Sequence, residues 1–366
     1  MLVQRQVFSM PSLTTVGGRT IKDIRVGYET YGTLNAARDN ALLICHYFAG
    51  TAHAAGKYQE SDPLPGWWDS AIGPGKIFDT DRYFIVCSDT LCCLPVFNGS
   101  VVTTGPASIN PETGKTYGSD FPIVRYADIV KVQKALLESL GIGKLVAVAG
   151  PSAGAIQALQ WSVEYPDDVP RVIAVVSPDL AMGSYLIFAA EAGVRPILND
   201  PLWQEGHYDP DKPPREGLAE AFRMLWVQAV SDYSVDTMLG GSGPADPAKP
   251  PGDSILNKFK SAVMLSMTGV PQAMTCDANH FLYLVRAGQL FDIQPQIAQA
   301  KAKYLFVPVS SDAMAMPFYS ESAVAKLRAA GKRAELKMLH SPGGHADGLS
   351  KMDLVKDDIV AFLNSD

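Results

Sequence analysis

The chain predicts an α/β fold: a mostly parallel central sheet with helices on both faces and an inserted helical cap. Three observations predict it. Continuous apolar runs, the mark of strands buried on both faces, recur at 41–48 (ALLICHYF), 83–88 (YFIVCS), 145–149 (LVAVA), 172–177 (VIAVVS), 304–309 (YLFVPV) and 334–339 (AELKML). Segments with helical spacing of apolar residues fall between or after them, at 126–140, 155–165, 318–330 and 352–363. A long stretch of further helical patterning then separates the fourth run from the fifth. Alternation of this kind places a parallel sheet between two helical layers.

Composition sets the limits. With 366 residues, 47% of them hydrophobic and 19% charged, the chain can bury a large core. A net charge of -7 and a pI near 5.4 argue against nucleic acid or an anionic membrane as partner. No run is apolar and long enough to span a bilayer, and the N-terminus lacks a basic segment followed by an apolar core. Five cysteines, an odd number in mostly apolar surroundings, predict a reduced cytoplasmic protein with packing thiols. Cys92-Cys93 has no second pair with which to build a zinc site, so no metal is expected.

The elements follow in order. Residues 8–34 alternate, with Gly17-Gly18 as the turn of a hairpin. The run 41–48 is a buried parallel strand ending in the loop AGTAHAAG. Residues 90–122, rich in Gly, Pro, Thr and Asn, are too long for a simple connector and should lie over the functional edge of the sheet. Residues 144–165 (KLVAVAGPSAGAIQALQWSVEY) read as strand, very tight turn and helix. Residues 181–298 carry about five helical segments, broken by the flexible GGSGPADPAKPPGD. This gives a catalytic domain of residues 1–180 and 299–366 and a helical cap, or lid, of residues 181–298.

The chemistry centres on the tight turn. Gly150 and Gly154 flank Ser152 in a G-x-S-x-G pattern, which a sharp strand-to-helix turn requires because a Cβ on either side would meet backbone. Ser152 is then a nucleophile; otherwise it only caps the helix. A serine needs a base, and the base an orienting acid, both at the carboxyl ends of strands. Asp312 ends the run YLFVPVSS, and Asp179, after VIAVVSP, is its rival. His345 lies in the glycine-bearing loop SPGGHADGL. The other histidine after Asp312, His340, ends a strand and should point into packing or a backbone hydrogen bond. Backbone N–H groups of Ala153 and Phe48, with Tyr47 or Ala49 as neighbours, would form an oxyanion hole.

In these segments the chain resembles the homoserine O-acetyltransferase family of α/β-hydrolases. LLICHYFAGTAHAAG, WWDSAIGPGKIFDTDRYFIVCSD, TTGPASINPETGKTYGSDFP, GPSAGAIQALQWSVEYPD, DPLWQEGHYD, DANHFLYLVRA, VPVSSD and SPGGHADGL stand in the family's order over nearly the whole length. The resemblance implies an acyl-Ser152 intermediate with Asp312 and His345 completing a triad. It implies no bound cofactor, acetyl-CoA or another acyl-CoA as co-substrate, a small-molecule acceptor, and a homodimer held by cap helices over a deep tunnel. Tyr208, Asn279, Arg286 and Asp347 are the substrate contacts that the family-like segments imply.

The chain also departs from the family. Where the family has an aspartate directly after its histidine, to hold the acceptor's ammonium group, Ala346 stands here. Thr275 replaces the arginine that helps hold the acceptor's carboxylate, Phe48 replaces a leucine, and GPSAGAIQ replaces Gly-Gly-Ser-Met-Gly-Gly-Met-Gln. Losing a charge-assisted contact at each end of a zwitterion weakens acceptor binding. Two readings therefore leave the sequence: an O-acyltransferase, or a serine hydrolase of a small acyl compound with water as acceptor.

Overall fold

The computed structural model describes residues 1–365. A hairpin opens it: β1 (Gln6–Thr14) and β2 (Thr20–Tyr31) pair antiparallel, Gln6 opposite Tyr28 and Thr14 opposite Thr20. Gly18 takes φ 81° in the turn, where a side chain would be strained. There follow β3 (Ala41–Ile44), β4 (Phe84–Ser88), α1 (Tyr126–Ser139), β5 (Ala147–Pro151), α2 (Ala153–Glu164) and β6 (Arg171–Val175). Helices α3 (Ser184–Leu198), α4 (Arg215–Ala229), α5 (Asp232–Met238), α6 (Lys260–Met267), α7 (Val270–Thr275) and α8 (Ala278–Gln289) intervene before the sheet resumes. The chain continues through β7 (Lys303–Val307), α9 (Pro317–Ala329), β8 (Ala334–Leu336), α10 (Asp347–Ser350) and α11 (Lys356–Asn364).

The sheet runs β1-β2-β4-β3-β5-β6-β7-β8, antiparallel as far as β4 and parallel from there on. Strand order reverses between β3 and β4, so a crevice opens where the loops after β3 and β5 part; ligands of open α/β sheets bind at such a point. Burial on both faces explains the unbroken apolar runs. Leu43, Val148, Val172 and Phe306 pack on the side of α1 and α2, while Leu42, Ala149, Ile173 and Leu305 pack on the side of α11, Trp68 and Phe78. Neither face offers water to an alternating polar residue.

The structure trims the predicted strands at their carboxyl ends. The runs 41–48, 304–309 and 334–339 pair as strands only to Ile44, Val307 and Leu336. Beyond those points Cys45, His46, Pro308, Val309 and Leu339 stay buried while Lys337 is exposed; Val309 and Leu339 still meet in an isolated parallel bridge, and of these residues Tyr47 and Phe48 reach the cavity over the tight turn. Apolar sequence outlasts the continuous ladder here. The insertion holds six α-helices where the pattern predicts about five. Among the described residues no helix is long and apolar enough to cross a membrane, and no cluster of His, Cys, Asp and Glu could hold a metal ion. All five cysteines are free and buried.

Candidate active site

The turn after β5 has the shape the glycines demand. A Cβ on Gly154 would lie 2.1 Å from the carbonyl oxygen of Cys45, and one on Gly150 would lie 2.5 Å from the same atom. Hydrogen alone fits at both positions. The close approach lets Ser152 adopt φ 57°, ψ -119°, a conformation a non-glycine residue holds only when its surroundings over-determine it. The Ser152 N–H donates to the Val175 carbonyl (2.9 Å), and its own carbonyl accepts from Ala155 N (2.9 Å). Its side chain makes no capping hydrogen bond to α2, against the reading of a mere helix cap. Ala153 opens α2, where backbone N–H groups lack an acceptor within the helix.

His345 is buried at the side of this turn. Its Nδ1 lies 2.7 Å from Oδ2 of Asp312, whose Oδ1 accepts from the N–H groups of Met314 (2.8 Å) and Ala315 (2.9 Å). A carboxylate so placed can only accept, so Nδ1 carries the ring proton and Nε2 keeps its lone pair. That Nε2 is buried without a hydrogen-bond partner among the described residues. Asp179 is occupied elsewhere: Ser322 Oγ (2.7 Å) and Lys326 Nζ (2.6 Å), both on α9, bind its Oδ2. His340 is exposed, in contrast to the packed position expected for it.

A cavity of about 570 Å³ opens over the turn. Tyr47, Phe48, Ser152, Ala153, His345 and Ala346 form its floor; α3, α4 and α8 supply its roof. Phe48 stands edge-on to Phe281 of α8, ring centroids 5.1 Å apart, and Phe281 in turn meets Phe222 of α4 at 5.2 Å. The walls contain no Asp, Glu, Lys or Arg.

The four substrate contacts expected from sequence are not among these walls. Tyr208 donates its hydroxyl to Asp277, the residue whose carboxylate caps α8. Asn279 bonds Trp203 Nε1 (2.9 Å) and the Gly206 carbonyl (2.8 Å). Arg286 projects outward to Gln289 (2.8 Å) and Glu191. Asp347 turns back on its own loop, accepting from Ser341 Oγ and Gly343 N (2.8 Å). It braces the segment that carries His345. Thr275 likewise lies outside the walls; Gln272, one turn earlier on α7, is inside them.

Sequence reasoning missed the polar cluster behind the Phe48 loop. Glu29, fully buried on β2, accepts from the hydroxyls of Tyr31 and Tyr58 (both 2.7 Å) and faces His53 Nδ1 at 3.1 Å. Tyr31 Oη accepts from Ala54 N (2.8 Å), and Asp89 accepts from Ala52 N (2.8 Å) and Val102 N (3.0 Å). Burial pushes the Asp89 carboxyl up to about 7 and holds the Tyr31 phenol well above its ordinary range. His46, beside the same loop, is pushed down to about 4 by burial and donates from Nδ1 to the Tyr47 carbonyl (2.7 Å). The available signal was an acid, Glu29, inside the otherwise uncharged stretch VGYETYG.

A strained serine between glycines, a buried carboxylate–histidine pair and a crevice at the sheet's switch point define the α/β-hydrolase class. Residues 40–256 match the model of the alpha/beta hydrolase fold family. The chain is 38% identical over 351 residues to a homoserine O-acetyltransferase of Leptospira biflexa, covering 94% of this chain and 89% of that one. Among solved structures, homoserine O-acetyltransferase from Bacillus anthracis superposes with a TM-score of 0.94 at 35% identity, covering 100% of this chain and 98% of the other. Esterase E22 superposes with a TM-score of 0.93 at 42% identity, covering 99% and 100%. The chain belongs to the homoserine O-acetyltransferase family and, in enzyme class, is an acyltransferase on an α/β-hydrolase fold.

Proposed function

We propose that the enzyme moves an acyl group from acetyl-CoA or a similar thioester to a hydroxyl acceptor through an acyl-Ser152 intermediate. The observation that supports this most is the Asp312–His345 pair with its bare Nε2, beside a cavity that also contains Ser152. His345 Nε2 takes the Ser152 proton as Oγ bonds to the thioester carbonyl carbon. The N–H groups of Phe48 and Ala153 hold the resulting oxyanion. Collapse breaks the C–S bond, and His345 returns the proton to the departing thiolate. The acceptor hydroxyl then repeats the sequence in reverse, its proton passing through Nε2 to Ser152. No cofactor is needed for these steps.

Homoserine fits this cavity poorly. Ala346 stands where the resemblance implies an ammonium-binding aspartate, Thr275, in place of the family's arginine, lies outside the walls, and the walls offer no charged replacement. We take the acceptor to be uncharged. A second reading, hydrolysis of a small ester by water, draws support from the same uncharged walls and from the likeness to esterase E22.

Residues 181–298 act in this reading as the lid, and residues 1–180 with 299–366 as the catalytic domain. The lid also carries exposed Phe188, Met238 and Met267, which support a homodimer through its helices. Buried free thiols support a cytoplasmic location.

Incubation with acetyl-CoA, followed by thiol release with and without a panel of alcohols and hydroxy amino acids, tests the proposal. Acceptor-dependent release together with an acetyl mass on Ser152 is the expected result. Turnover of aryl esters with no thioester reaction replaces the transferase by the hydrolase. Activity surviving in Ser152→Ala overturns the site itself.

A further inference from the structure

Helices α3 and α8 turn matching faces to the cavity. Leu186, Ala189, Ala190 and Gly193 line it from α3, and Phe281, Leu284, Val285 and Gly288 from α8, each set spaced i, i+3, i+4, i+7. Each helix contains a single glycine, and both glycines lie in these faces. Glycine inside a helix is unfavourable to the helix, so its presence twice at one cavity marks space that the fold keeps open. A Cβ on Gly193 would meet nothing within 4 Å, and one on Gly288 would meet only Met182 Cε, at 3.5 Å. The room is far larger than an acetyl group alone fills. A cavity of ~150 Å³ holds benzene; this one measures about 570 Å³.

We propose that the cavity takes an uncharged ester or thioester bearing a medium-length alkyl or an aryl group, laid along α3 and α8 with Gly193 and Gly288 setting its reach. The inference rests on the acyl-Ser152 reading and adds the substrate class to it. A charged group on that chain would be buried with no Asp, Glu, Lys or Arg to meet it, which disfavours amino-acid and dicarboxylate substrates. A hydrocarbon chain instead replaces water along apolar walls, and each buried methylene raises kcat/KM by roughly three- to fourfold until the space is filled.

Two ester series test this on the wild-type enzyme: p-nitrophenyl acetate to octanoate varies the acyl side, and methyl to octyl acetate varies the alcohol side. A rise in kcat/KM of tenfold or more from the shortest member to an optimum at four to eight carbons is expected in at least one series. Gly193→Trp, and separately Gly193→Leu, should then lower the long-to-short ratio by tenfold or more, whatever either does to the shortest ester. Shortest-chain preference in both series, or a ratio unchanged in both folded variants, overturns the inference. Acetyl labelling of Ser152 separates this outcome from failure of the underlying reading: label without chain preference sinks only the substrate class. If no ester or thioester labels Ser152, both fall.

Discussion

The floor and the roof of the cavity are built on opposite terms. On the floor, polar groups are buried and nearly all satisfied: Asp312 accepts from three donors, Glu29 and Asp89 pin the loop that bears Phe48, and Asp347 braces the loop that bears His345. The roof is a set of helix faces carrying Ala, Gly, Leu and Phe, with no acidic or basic side chain turned inward. Satisfied buried networks admit few arrangements, so they suit atoms that must be placed to fractions of an ångström. Apolar helix faces exchange one side chain for another at modest cost, so they suit a surface on which substrate choice varies. In the proposed reading the floor performs the chemistry and the roof selects what reaches it.

Breaking the floor should therefore destroy activity outright. Ser152→Ala is expected to lower turnover by about 10⁶-fold and Asp312→Asn by about 10⁴-fold, with circular dichroism unchanged. A residual rate near wild type in Asp312→Asn, with loss in Asp179→Asn, transfers the acid role to Asp179. Gly154→Ala tests geometry in place of chemistry. Its methyl would sit 2.1 Å from the Cys45 carbonyl, against backbone that has no room to yield, and soluble folded protein is not expected.

Removing one member of the cluster behind the Phe48 loop is milder. Tyr31→Phe takes away the donor to Glu29 and the acceptor for Ala54 N. Stranding such groups costs about 1–3 kcal/mol, read as a lower urea midpoint. Because the loop bears Phe48, the proposed oxyanion donor, kcat should fall more than KM rises. An unchanged kcat with lower stability assigns the cluster to folding alone.

Ala346→Asp crosses the two designs by placing a carboxylate on the floor beneath the apolar roof. It should lower kcat/KM for neutral esters about tenfold, and make homoserine a measurable acyl acceptor by restoring a charge-assisted contact worth about 1.5–3 kcal/mol. Neutral esters turned over as before, with no homoserine product, would show that this position does not face the acceptor.

The contrast also explains what the sequence made legible. The floor is dictated by local chemistry in a fixed order, with glycines beside the serine, an acid at a strand end and a histidine in the next loop, so each residue could be sought in turn. The roof depends on rotation about helix axes. Asn279 and Arg286 lie in the segment DANHFLYLVRA, yet α8 turns Phe281, Leu284, Val285 and Gly288 inward, leaving Asn279 and Arg286 off that face. Knowing the segment did not reveal its rotation. Strand ends were overshot at 45–48 and 337–339 for a related reason, since apolar residues such as Cys45 and Leu339 stay buried after the continuous ladder has stopped. Glu29 was hidden because its partners, Tyr58, His53 and Tyr31, converge only through the fold.

The smallest effect on turnover is expected at His46, which lies behind the floor and outside the cavity walls. Burial holds its imidazole down to about 4, against about 6.5 in an unfolded chain, so the folded state excludes the proton that the unfolded state accepts. Stability from this group is fully present above pH ~6.5 and is lost as pH falls through about 4. At pH 7 the ring is neutral in both states, so His46→Gln should leave turnover within about twofold while retaining an N–H donor in reach of the Tyr47 carbonyl. At lower pH the two proteins should diverge. Urea midpoints measured at pH 7, 5.5 and 4.5 should fall more steeply for wild type than for His46→Gln. Parallel midpoints would mean that another group sets the acid limit; Asp89 is not that group, because a carboxyl pushed up to about 7 in the folded state stabilises the fold as pH falls.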